Sequence, residues 1–157
     1  MKTIITALAF FTITIANTIA AQSSSYEKGM SKAFELWKAN TPDEAIHLFE
    51  RIAKAEKENW IPYYYAAQVH ITTTFGTKDA EEIESRLTKA QDYLNEAKSL
   101  SKENAEILIM EALLNTAYVA YNPSVYGMTL SAKVEELYQK AKILEPENPR
   151  AILYHAE

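Results

Sequence analysis

The sequence predicts an all-α chain built as a stack of helix pairs, and three observations carry that prediction. The 157 residues include three glycines and five prolines, too few for the turns of a β-sandwich or barrel. Apolar residues recur at three- and four-residue spacings, the period of an amphipathic helix. The pattern then repeats. Lys57-Glu58-Asn59, Lys102-Glu103-Asn104 and Pro146-Glu147-Asn148 each close a helical stretch, and they lie 45 and 44 residues apart.

The elements follow in order. Met1 and Lys2 precede a charge-free apolar stretch, Thr3 to Ala21, and then the polar run Gln22-Ser23-Ser24-Ser25. One early positive charge, an apolar centre and a small-residue end are the plan of a signal peptide, cut after Ala21 or after Ala20. Thr12, Thr14, Asn17 and Thr18 make the stretch too polar for a good anchor, so no membrane span is expected after its removal. The mature chain, 22–157, is then expected in a bacterial periplasm or outside the cell.

The first repeat, about 26–59, pairs a helix from Tyr26 to Ala39 with one that runs to about Lys57. Asn40-Thr41-Pro42 separates them, with Thr41 expected as N-cap, Pro42 at the first helical position, and Asp43 and Glu44 in the first turn. The second repeat, about 60–104, pairs Ile61–Phe75 with Asp79–Leu100 across the turn Gly76-Thr77-Lys78. The third, about 105–148, pairs Ala105–Tyr121 with a helix whose inward stripe is Leu130, Val134, Leu137, Ala141 and Leu144. Residues 149–157 read as the first half of a fourth front helix. At equal offsets in the back helices lie Ala45, Ala90 and Val134, then Phe49, Leu94 and Tyr138, then Ile52, Ala97 and Ala141. Spaced by four and then three residues, these sites share one helix face. Ala67, Ala112 and Ala156 recur in the front helices, where a small side chain lets two helices approach closely.

Composition narrows the chemistry. A net charge of −5 argues against a nucleic-acid-binding face. The absence of cysteine excludes disulfides, thiolate metal sites and a cysteine nucleophile. His47, His70 and His155 lack metal-ligand spacing, and three isolated glycines make no phosphate loop. Glu82 with Arg86 and Glu136 with Lys140 are spaced as ion pairs on outer helix faces. The expectation is a protein that is not an enzyme and has no cofactor and no metal.

The string from Ala33 through Leu36-Trp37 and Pro42 to Ala45-Ile46 and Phe49 resembles a tetratricopeptide repeat. The runs Ala97 to Asn104 and Ala141 to Asn148 resemble that family's A-x-x-L-x-P-x-N exit; Pro146 matches its proline, and Lys57 and Lys102 replace it in the earlier units. The chain as a whole is similar to uncharacterised periplasmic repeat proteins of the Bacteroidota. The resemblance implies a right-handed solenoid of antiparallel helix pairs with a concave groove. Units two and three exceed the family period of about 34 residues, and the extra length is expected as insertions between helices, around Gly76–Arg86 and Asn122–Ser131.

Ten tyrosines are the one surplus in the composition. Tyr64 shares its register with Ile109, an offset that the resemblance places in the groove; Gln68 and Leu113 make the next row, and Ile71 and Thr116 a third. For Tyr64 the competing expectation is packing between helix pairs, and Tyr63 and Tyr65 are expected in the core. Tyr126 and Met128 are expected on a projecting loop, because Asn122-Pro123 starts a turn. Such a loop carries function or covers the edge of its own repeat.

These features predict a secreted or periplasmic, non-catalytic interaction scaffold that holds a protein or peptide partner in its groove. The alternatives are a cell-envelope binder of carbohydrate or another small ligand, or the positioning domain of a longer enzyme. The half-repeat from Pro149 leaves Ile152 and Leu153 uncovered, so end-to-end self-association is expected of this length of chain.

Overall fold

A computed structural model describes residues 24–151. Among them there is no strand: α1 covers 24–38, and then come α2 (Pro42–Ala55), α3 (Ile61–Thr74), α4 (Ala80–Leu100), α5 (Ala105–Tyr121) and α6 (Pro123–Leu144), with residues 149–151 again helical. The leader expected over 1–21 lies outside the described residues. So do Ile152, Leu153 and Ala156 of the expected fourth helix.

The recurrent Glu-Asn pairs have a local physical reason. The Oδ1 of Asn104 accepts from the backbone N–H groups of Glu106 and Ile107 at 2.9 and 3.3 Å. Asn59 and Asn148 do the same for Ile61 and Arg150, at 3.0 and 2.9 Å. Each asparagine thus satisfies donors that the first turn of a helix leaves free. Thr41 departs from expectation. Its hydroxyl donates backwards to the Leu36 carbonyl at 3.0 Å and caps no N–H of α2. The backbone N–H of Thr41 also bonds Leu36 O, and Asn40 N–H bonds Trp37 O, which closes α1 in a Schellman turn with Asn40 at φ 62°.

No insertion separates the helices of the later repeats. The extra length lies in the back helices themselves: α4 and α6 have 21 and 22 residues, whereas α2 has 14. Asp79 caps α4 through Glu81 and Glu82, so the segment expected as an insert is α4's first two turns. Asn122 alone joins α5 to α6: it ends the first helix and its Oδ1 accepts from Val125 N–H at the start of the second. Pro123 sits where its missing N–H costs nothing. With one residue between two long helices that pack on each other, the chain must reverse direction there.

Three buried clusters hold the helices together. Met30 and Ala33 of α1 meet Ala45, Ile46 and Phe49 of α2 and Ala66 and Val69 of α3. Gly29 brings α1 close here, since a Cβ on it would stand 3.1 Å from Ile52. On the other side of α3, Tyr64, Ala67 and Ile71 pack with Leu87, Ala90 and Leu94 of α4 and with Met110, Leu114 and Ala117 of α5. Ala105, Ile109 and Ala112 of α5 then face Leu137, Tyr138 and Ala141 of α6, with Ala151. Both α3 and α5 serve two clusters, which explains why they are apolar nearly all round while α2 is sharply two-faced. No helix among the described residues is long and apolar enough to cross a membrane.

Candidate functional site

Two polar features stand out, one buried and one open. The buried one centres on His70, in the last third of α3. Its neighbours Val69 and Ile71 are core residues, and helical geometry carries His70 toward the seam between α2 and α4. The imidazole is 4% exposed, and neither ring nitrogen has a hydrogen-bond partner. It stacks on the Tyr93 ring of α4, with centroids 5.6 Å apart and planes at 17°. The Tyr93 hydroxyl donates to the Glu50 carboxylate of α2. Arg86 of α4 reaches Asp43 of α2 at 3.0 Å and Glu82 of its own helix at 2.8 Å.

The charges respond to this setting. Burial, followed by the cations of Arg86 and Lys89, lowers His70 from 6.5 to about 4, so the ring is neutral at neutral pH. Burial works to raise Glu50, but the bonds from Tyr93 and His47 outweigh it and hold the carboxyl below its usual value. The Arg86 guanidinium holds Asp43 below the carboxylate range as well. Burial and the Glu50 charge push the Tyr93 phenol well up.

The open feature is a cleft of about 370 Å³ at the carboxyl end of α3, between α4 and α5. Thr74, Thr77, Lys78, Ile83, Ala117 and Tyr121 line it. Its chemistry is one amine, one phenol and two threonine hydroxyls. The hydroxyls of Thr74 and Thr77 already donate to the carbonyls of Ile71 and Thr73, which leaves their lone pairs free to accept.

The expected groove residues do not line a common surface. Tyr64, Ile71 and Ile109 are core residues; Tyr64 is 2% exposed and its hydroxyl donates to Glu106 at 3.1 Å. Tyr64 and Ile71 are covered by α4 and α5, and Ile109 by α6 and Ala151. Gln68 is half-buried on α3, and Leu113 is packed on the edge of the central cluster. Thr116 is exposed, with its hydroxyl turned back to the Ala112 carbonyl at 3.0 Å. Tyr126 and Met128 lie within α6, on no loop: Tyr126 rests against Tyr118 at 5.2 Å, and Met128 is 97% exposed. The expected pairs Glu82–Arg86 and Glu136–Lys140 form at 2.8 and 2.5 Å. The cross-links Asp43–Arg86 and Glu50–Tyr93 had no sequence signal, because each spans 43 residues and no helical spacing announces it.

No family model matches the chain. Over 105 residues it is 35% identical to a protein of Coccidioides immitis (strain RS) named "Putative 4-hydroxy-2-oxoglutarate aldolase, mitochondrial". The match takes in 64% of this chain and 33% of the relative, so the chain spans about a third of that protein's length. The match overturns three expectations. A relative named as an enzyme contradicts both the non-catalytic scaffold and the expectation that the chain is not an enzyme. A relative named as mitochondrial contradicts a periplasmic or secreted location. The physical reason for the first error is plain: repeat spacing specifies packing, and packing is silent about chemistry.

Proposed function

We propose that this chain is part of an aldolase-type enzyme that acts on a hydroxy-2-oxo acid. The observation that carries the reading is the 35% identity to the relative described above. Cleavage of such a substrate breaks the bond between C3 and C4: the C4 hydroxyl loses a proton, and the bonding pair moves toward the C2 carbonyl. An amine that condenses with that carbonyl turns it into an iminium, a far better electron sink. The open cleft offers the matching groups. Lys78 supplies the amine, Tyr121 a phenol to carry the proton, and Thr74 and Thr77 oxygens to orient the substrate.

The scaffold that presents this cleft is, in our reading, a right-handed tetratricopeptide-like solenoid. It is supported by the 45- and 44-residue register, the short reversals, and the burial of α3 and α5 each on two sides.

The test is cleavage of 4-hydroxy-2-oxoglutarate by the full-length gene product, followed as release of pyruvate. With borohydride present, a reduced adduct should appear on the Lys78 peptide in mass spectrometry, and Lys78→Met should remove both adduct and turnover. Absence of cleavage overturns the enzymatic reading. Cleavage that survives Lys78→Met keeps the enzyme and overturns the cleft as its site.

A further inference from the structure

Two links from α4 to α2 lie near one buried side chain. Arg86–Asp43 and Tyr93–Glu50 both run between these helices, and His70 of α3 lies against Tyr93 with its nitrogens unpartnered. Each helix packs its apolar face on α3. We propose that His70 is the trigger of an acid-responsive latch: its protonation unfastens α2 from α4 while the rest of the array stays folded.

The groups around the ring set the direction. From α2 it is faced by the carboxylates of Asp43 and Glu50, with His47 beyond Glu50 at 3.4 Å. From α4 it is faced by Arg86, Lys89 and the ring of Tyr93, and Glu82 holds the far side of Arg86. On its own helix, Tyr63 stands 6.5 Å from Tyr93. A neutral imidazole carries one N–H donor and one acceptor nitrogen, and burying it unpartnered costs much less than burying an unpaired ion. An imidazolium has two N–H donors and a full charge. Arg86 and Lys89 repel it, and the carboxylates that attract it are already committed to Arg86 and Tyr93. The ion must therefore take a carboxylate from one link or leave the seam, and either move breaks the α2–α4 connection.

The experiment is amide hydrogen exchange on the full chain at several pH values, corrected for the intrinsic acid dependence of exchange. Between pH 7.5 and pH 4.5, α2 and the middle of α4 should lose protection by about 50-fold, as proton linkage to one depressed histidine requires. The α5–α6 pair should keep its protection, and His70→Phe, which keeps an aromatic ring against Tyr93, should flatten the α2 response. Equal loss in wild type and His70→Phe, simultaneous loss in every helix, or no loss would overturn the latch. Should His70→Phe not fold, the wild-type imidazole resonance decides. Titration at an ordinary histidine value with α2 protection unchanged refutes the proposal, and a depressed midpoint that tracks α2 opening supports it.

Discussion

The Tyr64 hydroxyl of α3 donates to the Glu106 carboxylate of α5 across 3.1 Å. Glu106 also accepts from Asn148 Nδ2 at 2.9 Å and pairs with Arg150. One carboxylate at the start of α5 therefore ties α3 to Asn148 and Arg150, beyond the end of α6. The Tyr64 ring is seated edge-on against Trp60 and Tyr65, at 5.6 and 5.1 Å.

Truncating this residue is therefore a core mutation. Tyr64→Ala should destabilise the protein by about 3–5 kcal/mol, as other buried aromatic truncations do. Tyr64→Phe keeps the ring and loses only the bond to a charged acceptor, about 1.5 kcal/mol. Urea unfolding of both variants measures the split. A Tyr64→Ala cost near zero would return the ring to an open surface.

How much of this was legible beforehand differs between fold and site. The stripe Ala45-Ile46-Phe49-Ile52-Ala53 could be read because α2 is buried on one face only, so burial and periodicity coincide. Tyr64, Ile71 and Ile109 misled because α3 and α5 are apolar on all sides, and periodicity cannot say which apolar face is open. Asn122-Pro123 misled for a different reason: the same dipeptide opens a loop or caps a helix, and the choice depends on whether α6 can continue past it. The His70 site was not legible at all. Its partners come from other helices, 16 or more residues away in either direction, and the sequence carries no spacing rule for them.

The 45- and 44-residue register makes its own prediction about stability. Leu94, in register with Phe49 and Tyr138, is fully buried between α3, α4 and α5. Leu94→Ala should cost about 2–5 kcal/mol. A thermal or urea midpoint corresponding to less than about half a kcal/mol would mean that the stripe does not hold the array.

Asn40 is the one non-glycine among the described residues with positive φ, at 62°. Asparagine tolerates that left-handed geometry and glycine tolerates it better, whereas a β-carbon without a local hydrogen bond does not. Asn40→Gly should leave stability unchanged or raise it slightly, and Asn40→Ala should lower it by about 1 kcal/mol. Comparison of the two melting curves checks this, and equal melting of the two variants would refute a left-handed Schellman close to α1.

Acid also acts on the Glu106 carboxyl. Burial works to raise its carboxyl, but the bonds from Asn148, Arg150 and Tyr64 outweigh burial and hold it below the ordinary value of 4.5. A carboxyl whose folded value is depressed contributes stability above its unfolded value and loses it as pH falls through the folded one. This places the Glu106 contribution in full at neutral pH and removes it progressively below 4.5. The His70 response runs earlier: its folded value is depressed from 6.5 to about 4, so stability is already falling as pH drops below 6.5. Glu106→Gln should cost about 2 kcal/mol at pH 7, the worth of its charged hydrogen bonds. The gap between variant and wild type should narrow as pH falls below 4.5 and stay constant between pH 7 and that point. Chemical denaturation at half-unit pH steps resolves the two limbs. A gap that is independent of pH throughout would mean that the Glu106 charge does not hold α3, α5 and Arg150 together.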